Sequence, residues 1–234
     1  MIDIIKAKDR HFSDFGWLQT YWLFSFSDYY DPHNIQFGAL RVFNDDVVQP
    51  GKGFPTHPHE EMEIVTIVLR GEMTHEDSMG NKAIIKAGDV QRMSAGTGLT
   101  HSEFNLAQKP VHFYQIWISP DKSGLKPTYD QKTYTSSQWK NRLLPVASGQ
   151  EIPETVTFHT NATIYRCDLD KDKSVKLKAI KGRKILIYLT KGEISVNGKG
   201  MEDEDQARID IEIDILLSIK ASTNAEFVLI DVPV

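Results

Sequence analysis

The sequence has one cysteine, a slight excess of acidic residues and no long apolar run. A single cysteine, Cys167, excludes an internal disulfide and fits a reducing compartment. Lysine and arginine total 27 against 32 acidic residues, so no basic surface for direct nucleic-acid binding is expected. No apolar run approaches the ~20 residues of a membrane span, and the first ten residues lack a signal-peptide core. We therefore expect a cytoplasmic protein that binds neither nucleic acid directly nor a membrane.

Histidines are concentrated in the first half of the chain, where two short motifs contain three of them. His57-Pro58-His59 and His101-Ser102-Glu103 each place two metal ligands at positions i and i+2. Such residues point to the same face of a strand. Two adjacent strands would then present three imidazoles and a carboxylate to one point. This donor set suits a divalent first-row transition metal better than calcium or magnesium, and it leaves two positions open on an octahedral ion.

The carboxylate of this site is ambiguous, because Glu63 competes with Glu103. Each shares the strand parity of its nearest histidine, so periodicity does not separate them. The other early histidines lack comparable spacing: we expect His75 and His112 to be non-ligands, with a role behind the ligands as the minor alternative. His11 and His33 lie in polar, turn-like surroundings and are expected on the surface.

Strand-like segments dominate the rest of the chain. Short apolar runs alternate with turn signals such as Met79-Gly80-Asn81 and Asn197-Gly198, which favours a sandwich or barrel. The run 208–215 alternates charged residues with isoleucines, so all its isoleucines are expected to face a core. One modest helix is expected from Ser136 to Leu144, ended by Pro145.

A weak internal repeat indicates duplication. Leu69-Arg70-Gly71-Glu72-Met73 returns as Thr190-Lys191-Gly192-Glu193-Ile194, each after an apolar strand. Two β-barrels would follow, with residues 1–126 as the metal-binding domain and 127–234 as the second. In the second, the positions equivalent to the His-x-His pair fall in the run 175–180, VKLKAI, so we expect no metal there.

Three further features are candidates for a binding pocket. Gln115 lies in an aromatic strand and either reaches inward or bonds to backbone. Phe54 and Met93 either line a pocket mouth or belong to the core. The aromatic segment 24–32, FSFSDYYDP, either walls a site for a flat ligand or covers a barrel end.

The two histidine motifs and their glycine punctuation resemble the metal-site motifs of the cupin superfamily. More narrowly, HPHEEMEIVTIVLRGEMTHEDSMGN and AGDVQRMSAGTGLTHSEFN resemble the pirin family, and especially its bacterial bicupins with quercetin dioxygenase activity. The resemblance extends over nearly the whole chain. It implies an all-β bicupin of two cupin-type barrels (double-stranded β-helices). It also selects Glu103 rather than Glu63, so the implied metal ligands are His57, His59, His101 and Glu103.

The resemblance further implies a metal-dependent dioxygenase that cleaves the heterocyclic ring of a flavonol such as quercetin with O2, releasing carbon monoxide. Glu103 would also shuttle the 3-hydroxyl proton. Ferrous iron is favoured, while manganese, cobalt, nickel, zinc and copper stay open. A monomer is favoured, although the oligomeric state is not fixed by the sequence.

The main alternative belongs to another functional class. Mammalian pirins have the same motifs and modulate transcription factors in an iron-dependent way, so a redox-sensing role through a protein partner is open. A non-oxidative cupin such as a sugar isomerase would fit a metal site equally well. A metal-free storage cupin is disfavoured by four intact ligand positions.

Overall fold

The computed structural model describes residues 1–234, and strands dominate it. A short 3₁₀ helix lies at Ala7–Asp9 and one α-helix, α1, at Ser136–Trp139. No helix is long and apolar enough to cross a membrane. The strands are β1 Ile2–Ile5, β2 His11–Asp14, β3 Leu18–Trp22, β4 Leu40–Val48, β5 Lys52–His59, β6 Glu63–Arg70, β7 Glu72–Asp77, β8 Lys82–Lys86, β9 Asp89–Ser94, β10 Leu99–Asn105, β11 Val111–Ile118, β12 Thr128–Thr133, β13 Leu144–Ser148, β14 Val156–Thr157, β15 Thr163–Leu169, β16 Ser174–Ala179, β17 Arg183–Lys191, β18 Ile194–Val196, β19 Lys199–Met201, β20 Gln206–Ile211, β21 Ile215–Ala221 and β22 Ala225–Pro233.

One compact unit contains His11–Tyr134 together with Val156–Thr160. Its larger sheet has the strand order β12-β9-β6-β11-β4-β3-β2, and its smaller sheet has the order β5-β10-β7-β8. The paired strands for which a register is defined run antiparallel. We call this the first barrel; it contains both histidine motifs.

The other compact unit contains Met1–Arg10, Thr135–Thr155 and Asn161–Val234, and we call it the second barrel. Its larger sheet includes the order β1-β20-β17-β22-β15-β13, and its smaller sheet has the order β16-β21-β18-β19. Val175, Ala179, Leu217 and Ile219 belong to its continuous apolar core. Strands β16 and β21 therefore contribute hydrocarbon to the interior at the places where β5 and β10 carry imidazoles.

The internal repeat corresponds to equivalent structure in the two barrels. The order β8-β7-β10-β5 of one small sheet matches β19-β18-β21-β16 of the other, and β9-β6-β11-β4 matches β20-β17-β22-β15. Gly71 and Gly192 both adopt positive φ at the equivalent turns. A Cβ at Gly71 would lie 2.8 Å from the Pro110 carbonyl oxygen, and one at Gly192 would lie 2.3 Å from the Asn224 oxygen. Each turn therefore needs glycine because the backbone before the last barrel strand passes directly over it.

The unit boundaries differ from the division at residues 126 and 127. The first unit continues to Tyr134 because β12 pairs with β9, and Met1–Arg10 belong to the second unit because β1 pairs with β20. Functional domains with the bounds 1–126 and 127–234 remain a prediction.

Two local predictions were wrong. The helix ends at Trp139 rather than Leu144, because Lys140 is extended and Asn141 has φ 54°. The alternating run 208–215 is broken, because β20 ends at Ile211 and Ile213 is 69% exposed. The chain turns there, where Asp214 accepts a hydrogen bond from the Lys181 backbone N–H.

Candidate metal centre

Three imidazoles converge where β5 and β10 pair in the smaller sheet of the first barrel. His101 lies directly opposite His57, and His59 lies opposite Leu99, two residues along the same face of β5. The Nε2 atom of His101 is 3.0 Å from Nε2 of His59 and 3.0 Å from Nε2 of His57. The strand parity thus brings the predicted imidazole trio together, with one ring nitrogen of each aimed at a common region.

A backbone contact fixes the tautomer of His57. Its Nδ1 lies 2.8 Å from the carbonyl oxygen of Pro55, which can only accept, so Nδ1 carries the proton. The Nε2 lone pair therefore faces His101. Such a hydrogen bond behind a histidine ligand orients the ring and strengthens it as a donor. The ring of His59 is placed by an edge-on contact with Trp117, with centroids 4.8 Å apart.

The imidazoles are electrostatically suited to bind a cation. Burial, together with the neighbouring imidazoles, lowers the pKa of His59 to about 4 and the pKa of His101 to about 2. Both rings are therefore neutral at physiological pH, and neutral imidazole is the form that binds metal.

Glu103 is held near His101 by a buried chain of hydrogen bonds. The register of β10 against β5 shifts between His101 and Glu103. The Gln115 side-chain amide donates to Glu103 Oε2 at 3.0 Å, and the Thr66 hydroxyl donates to Gln115 Oε1 at 2.9 Å. Glu103 Oε1 is buried without a hydrogen-bond partner. Burial, together with the charge of Asp46, raises the pKa of Glu103 to about 8.

The close donor atoms form two groups of three that share His101. One group is the imidazole trio, and the other is His75, His101 and Glu103; within each group the donor atoms lie within 4.8 Å of one another. Three facing Nε2 atoms and an unpaired buried carboxylate oxygen fit the preferences of a divalent transition metal.

Glu63, the competing carboxylate, belongs to neither group. It is 2% exposed on β6, and its Oε2 accepts a hydrogen bond from the Ser94 hydroxyl. Burial raises the pKa of Glu63, and the Ser94 hydroxyl, His159 and Arg92 oppose that shift. Glu63 is thus part of a buried polar cluster rather than of either donor group.

His75 lies closer to the centre than its sequence context indicated. It is fully buried on β7, opposite Glu103, with its ring centroid 5.5 Å from that of His101. Its Nε2 lies 3.2 Å from Asp77 Oδ2. The feature that could have located His75 is strand β7. A strand that pairs with β10 places one of its residues opposite Glu103, and on β7 that residue is His75.

The remaining histidines lie elsewhere. His112 contacts Asp45, with Nε2 2.6 Å from Oδ1, and His33 is exposed as expected. His11 was wrongly expected on the surface: its half-buried ring stacks on Tyr29 with a centroid distance of 4.0 Å.

A cavity of about 450 Å³ opens beside the imidazoles, a size typical of small-molecule sites. Phe54 and Gln115 line it as considered from the sequence, and Phe26 and Ser27 show that the 24–32 segment contributes to its wall. Met93 does not; it packs in a buried cluster with Ile64, Ala95 and Leu99. Sequence reasoning missed most of the lining, which also includes Phe15, Trp17, Leu18, Trp22, Asn44, Asp46 and Trp117.

Two cupin-type barrels, one with an imidazole trio on its β5–β10 pair, define a bicupin. Residues 6–118 match the family described as Pirin, and residues 145–232 match the Quercetinase C-terminal cupin domain. The chain belongs to the pirin family.

Full-length relatives support this assignment. The chain is 41% identical over 234 residues to quercetin 2,3-dioxygenase of Escherichia coli strain K12, covering 100% of this chain and 99% of that protein. It is 38% identical over 220 residues to a pirin-like protein of Caulobacter vibrioides, covering 94% of each. The crystal structure of the bacterial pirin YhhW from Escherichia coli in complex with nickel(II) matches with a TM-score of 0.93 and 39% identity, covering 100% of this chain and 99% of that one.

Proposed function

We propose that this protein is a metal-dependent dioxygenase that cleaves the heterocyclic ring of a flavonol such as quercetin with O2 and releases carbon monoxide. The observation that carries the proposal is the convergence of the His57, His59 and His101 Nε2 atoms beside a cavity walled by aromatic side chains. The relative named quercetin 2,3-dioxygenase is similar over its full length, which supports the same substrate class.

The proposed metal ligands are His57, His59, His101 and Glu103, the last through its unpaired Oε1. Iron(II) is the proposed ion, and the nickel(II) complex of a similar bacterial pirin supports a divalent metal. Manganese, cobalt, zinc and copper are compatible with the same ligands. When bound, the ion supplies Lewis acidity toward the flavonol 3-oxygen and 4-carbonyl, and the redox chemistry that dioxygen requires.

The cavity walls bind and orient the planar substrate. Trp17, Trp22 and Phe54 offer apolar faces to an aromatic ring, and Trp17 and Phe54 pack edge-to-face with centroids 5.3 Å apart. A ligand held between such walls displaces water, so the reactive enolate is protected from protonation by solvent.

Glu103 takes the proton of the 3-hydroxyl in this proposal. Gln115 holds its Oε2, and the carboxylate keeps lone pairs for both the metal and the substrate proton. The overall reaction adds both atoms of O2 to C2 and C4 of the flavonol. Carbon C3 then leaves with its own oxygen as carbon monoxide, and the remainder is a depside.

We also propose that the metal site is confined to the first barrel. In the second barrel, strand β21 is equivalent to β10, and its Leu217 and Ile219 belong to the apolar core. A cytoplasmic location is proposed with it, since that compartment keeps Cys167 reduced.

The test is turnover of quercetin by anaerobically iron-loaded protein after oxygen is admitted. Oxygen uptake, loss of flavonol absorbance and carbon monoxide release should occur together in equal amounts. The double variant His57→Ala, His59→Ala should lose all three, whereas His33→Ala, a change of an exposed imidazole, should keep them. Tight metal binding without oxygen uptake would instead favour the sensing role through a protein partner.

A further inference from the structure

His75 is a buried imidazole to which the proposed metal ligation gives no function. It lies on β7 directly opposite Glu103 of β10, and Asp77 lies opposite His101. These four residues therefore share one face of the smaller sheet, with His75 and His101 as diagonal neighbours. The centroids of the two imidazole rings are 5.5 Å apart. The ring of Tyr129 stacks on His75 at a centroid distance of 5.1 Å, which holds the plane of the imidazole.

Asp77 determines which nitrogen of His75 carries the proton. Its Oδ1 accepts hydrogen bonds from the backbone N–H groups of Met79 and Asn81, and its Oδ2 accepts one from the Asn81 side-chain amide. These donors fit an ionised carboxylate, which can only accept. His75 Nε2 lies 3.2 Å from the same Oδ2, so Nε2 carries the proton of the neutral ring. His75 Nδ1 is then an acceptor, and it is buried without a hydrogen-bond partner.

His101 has the complementary need. Its Nε2 faces the other two imidazoles of the trio, so ligation through Nε2 places the proton of the neutral ring on Nδ1. This Nδ1 atom is also buried without a hydrogen-bond partner. His57 differs, because its Nδ1 donates to the carbonyl oxygen of Pro55. A histidine ligand almost always donates its second N–H to an acceptor, and His101 requires one.

The acceptor that suits His101 is Nδ1 of His75. A ring nitrogen of each histidine and a carboxylate oxygen of Glu103 lie within 4.8 Å of one another. A bond from His101 to Glu103 would leave His75 Nδ1 buried and unpaired, whereas a bond between the two imidazoles satisfies both rings. It also leaves the Glu103 carboxylate to the metal. A small rotation of one ring, or one bridging water molecule, closes a separation of this size.

We propose that His75 is a positioning residue, whose Nδ1 accepts a hydrogen bond from Nδ1–H of His101 directly or through one water molecule. A hydrogen-bond chain then runs from the Asp77 carboxylate through His75 to His101. This chain fixes the tautomer and the ring orientation of His101 and strengthens its Nε2 as a metal donor. The inference rests on the metal site proposed above, but it does not depend on the flavonol chemistry.

Nitrogen NMR of the histidine rings reads the positions of these protons without any turnover. The sample is the full-length, ¹⁵N-labelled protein loaded with zinc, which is diamagnetic and suits the same ligands. We expect His75 to carry a proton on Nε2 and none on Nδ1, and His101 to carry its proton on Nδ1. That His101 proton should exchange slowly with water, because it is both buried and hydrogen-bonded.

Two variants of nearly the same shape test the acceptor itself. His75→Leu removes it, whereas His75→Asn places an oxygen on Cγ, the atom to which Nδ1 is attached. Zinc titration should show affinity about 10–100-fold weaker in His75→Leu, with most of the loss recovered in His75→Asn. A role in packing alone would not favour asparagine in a buried position. His112→Leu is the matched control, because His112 contacts Asp45 in the same barrel, outside the cavity lining. It should keep the wild-type zinc affinity.

Several results would overturn the proposal. A proton on His75 Nδ1 would remove the acceptor, and a His101 Nδ1–H signal that is unchanged in His75→Leu would assign the bond to Glu103. Equal zinc affinity of His75→Leu and His75→Asn would show that no acceptor is needed. The wild-type spectrum stands even where a variant fails to fold. No zinc binding by the wild type would refute the metal site and the chain together, whereas the expected spectra without quercetin turnover would refute the dioxygenase activity alone.

Discussion

The amide of Gln115 donates a hydrogen bond to Oε2 of Glu103 at 3.0 Å, and both side chains are buried. This contact occupies one carboxylate oxygen and leaves the other, Oε1, unpaired. It therefore determines which oxygen of Glu103 is available to a metal or to a substrate proton. Gln115 is in turn fixed by the Thr66 hydroxyl, so two paired strands of the larger sheet, β11 and β6, set the position of a carboxylate on β10 of the smaller sheet.

Replacing Gln115 should weaken the metal site without removing a ligand. Gln115→Leu leaves Glu103 Oε2 buried and unpaired, so we expect metal affinity to fall by about 10–100-fold, the usual cost of losing a residue that orients a ligand. Titration of the apo-protein with a divalent metal measures this. Thr66→Val removes only the support of Gln115 and should have a smaller effect. Unchanged affinity in Gln115→Leu would show that the contact does not position Glu103.

Asp46 should make the stability of the metal-free protein depend on pH. Burial raises its pKa from 3.8 to about 7, opposed by the Thr20 hydroxyl and increased by the charge of Asp45. The folded state then holds a proton that the unfolded state has lost, so its stability falls as pH rises from about 4 to about 7. Relative to the wild type, Asp46→Asn should gain up to about 4 kcal/mol over that range. Denaturant unfolding at several pH values measures the gain; a constant difference between the two proteins would contradict it.

Gly71 and Gly80 separate the cost of a positive φ from the cost of a steric clash. Both glycines have positive φ, but only Gly71 has backbone within reach of a Cβ. Gly80→Ala should lose about 1–2 kcal/mol of unfolding free energy, from the left-handed conformation alone. Gly71→Ala should lose at least ~2 kcal/mol more, because its Cβ would meet the Pro110 carbonyl oxygen. Equal losses would mean that the β6–β7 turn relaxes freely.

Cys167 should be inert in the folded protein. Burial, with a further contribution from the charge of Asp168, raises the pKa of its thiol to about 12, and the residue is 2% exposed. At about pH 8 the reactive thiolate is then roughly one part in ten thousand. A chromogenic disulfide reagent should modify one thiol per chain only after denaturation. Rapid reaction of the native protein would contradict the buried position.

The sequence predicted the features that depend on local periodicity. The four proposed ligands form two i, i+2 pairs, His57 with His59 and His101 with Glu103. The members of each pair share one face whenever their segment is a strand, so this prediction needs no knowledge of strand pairing. The repeat around Gly71 and Gly192 was likewise visible, because both turns need glycine for the same steric reason.

Features that depend on strand pairing could not be predicted in this way. Asn44 and Asp46 read as ordinary strand residues until β4 is placed beside β11, and His75 gains its position only because β7 pairs with β10. The alternation of charged residues with isoleucines continues in the sequence through Ile213, although β20 ends at Ile211. A turn can interrupt a strand where the sequence keeps a strand-like pattern.

Isotope tracing with ¹⁸O2 tests the central claim most directly. In this account both oxygen atoms of O2 enter the depside, while carbon C3 leaves with the oxygen it already carried. The iron-loaded protein should therefore convert quercetin to a doubly labelled depside and unlabelled carbon monoxide, and the His57→Ala, His59→Ala protein should form neither. Labelled carbon monoxide, an unlabelled depside, or equal turnover by the double variant would contradict ring cleavage at the imidazole site.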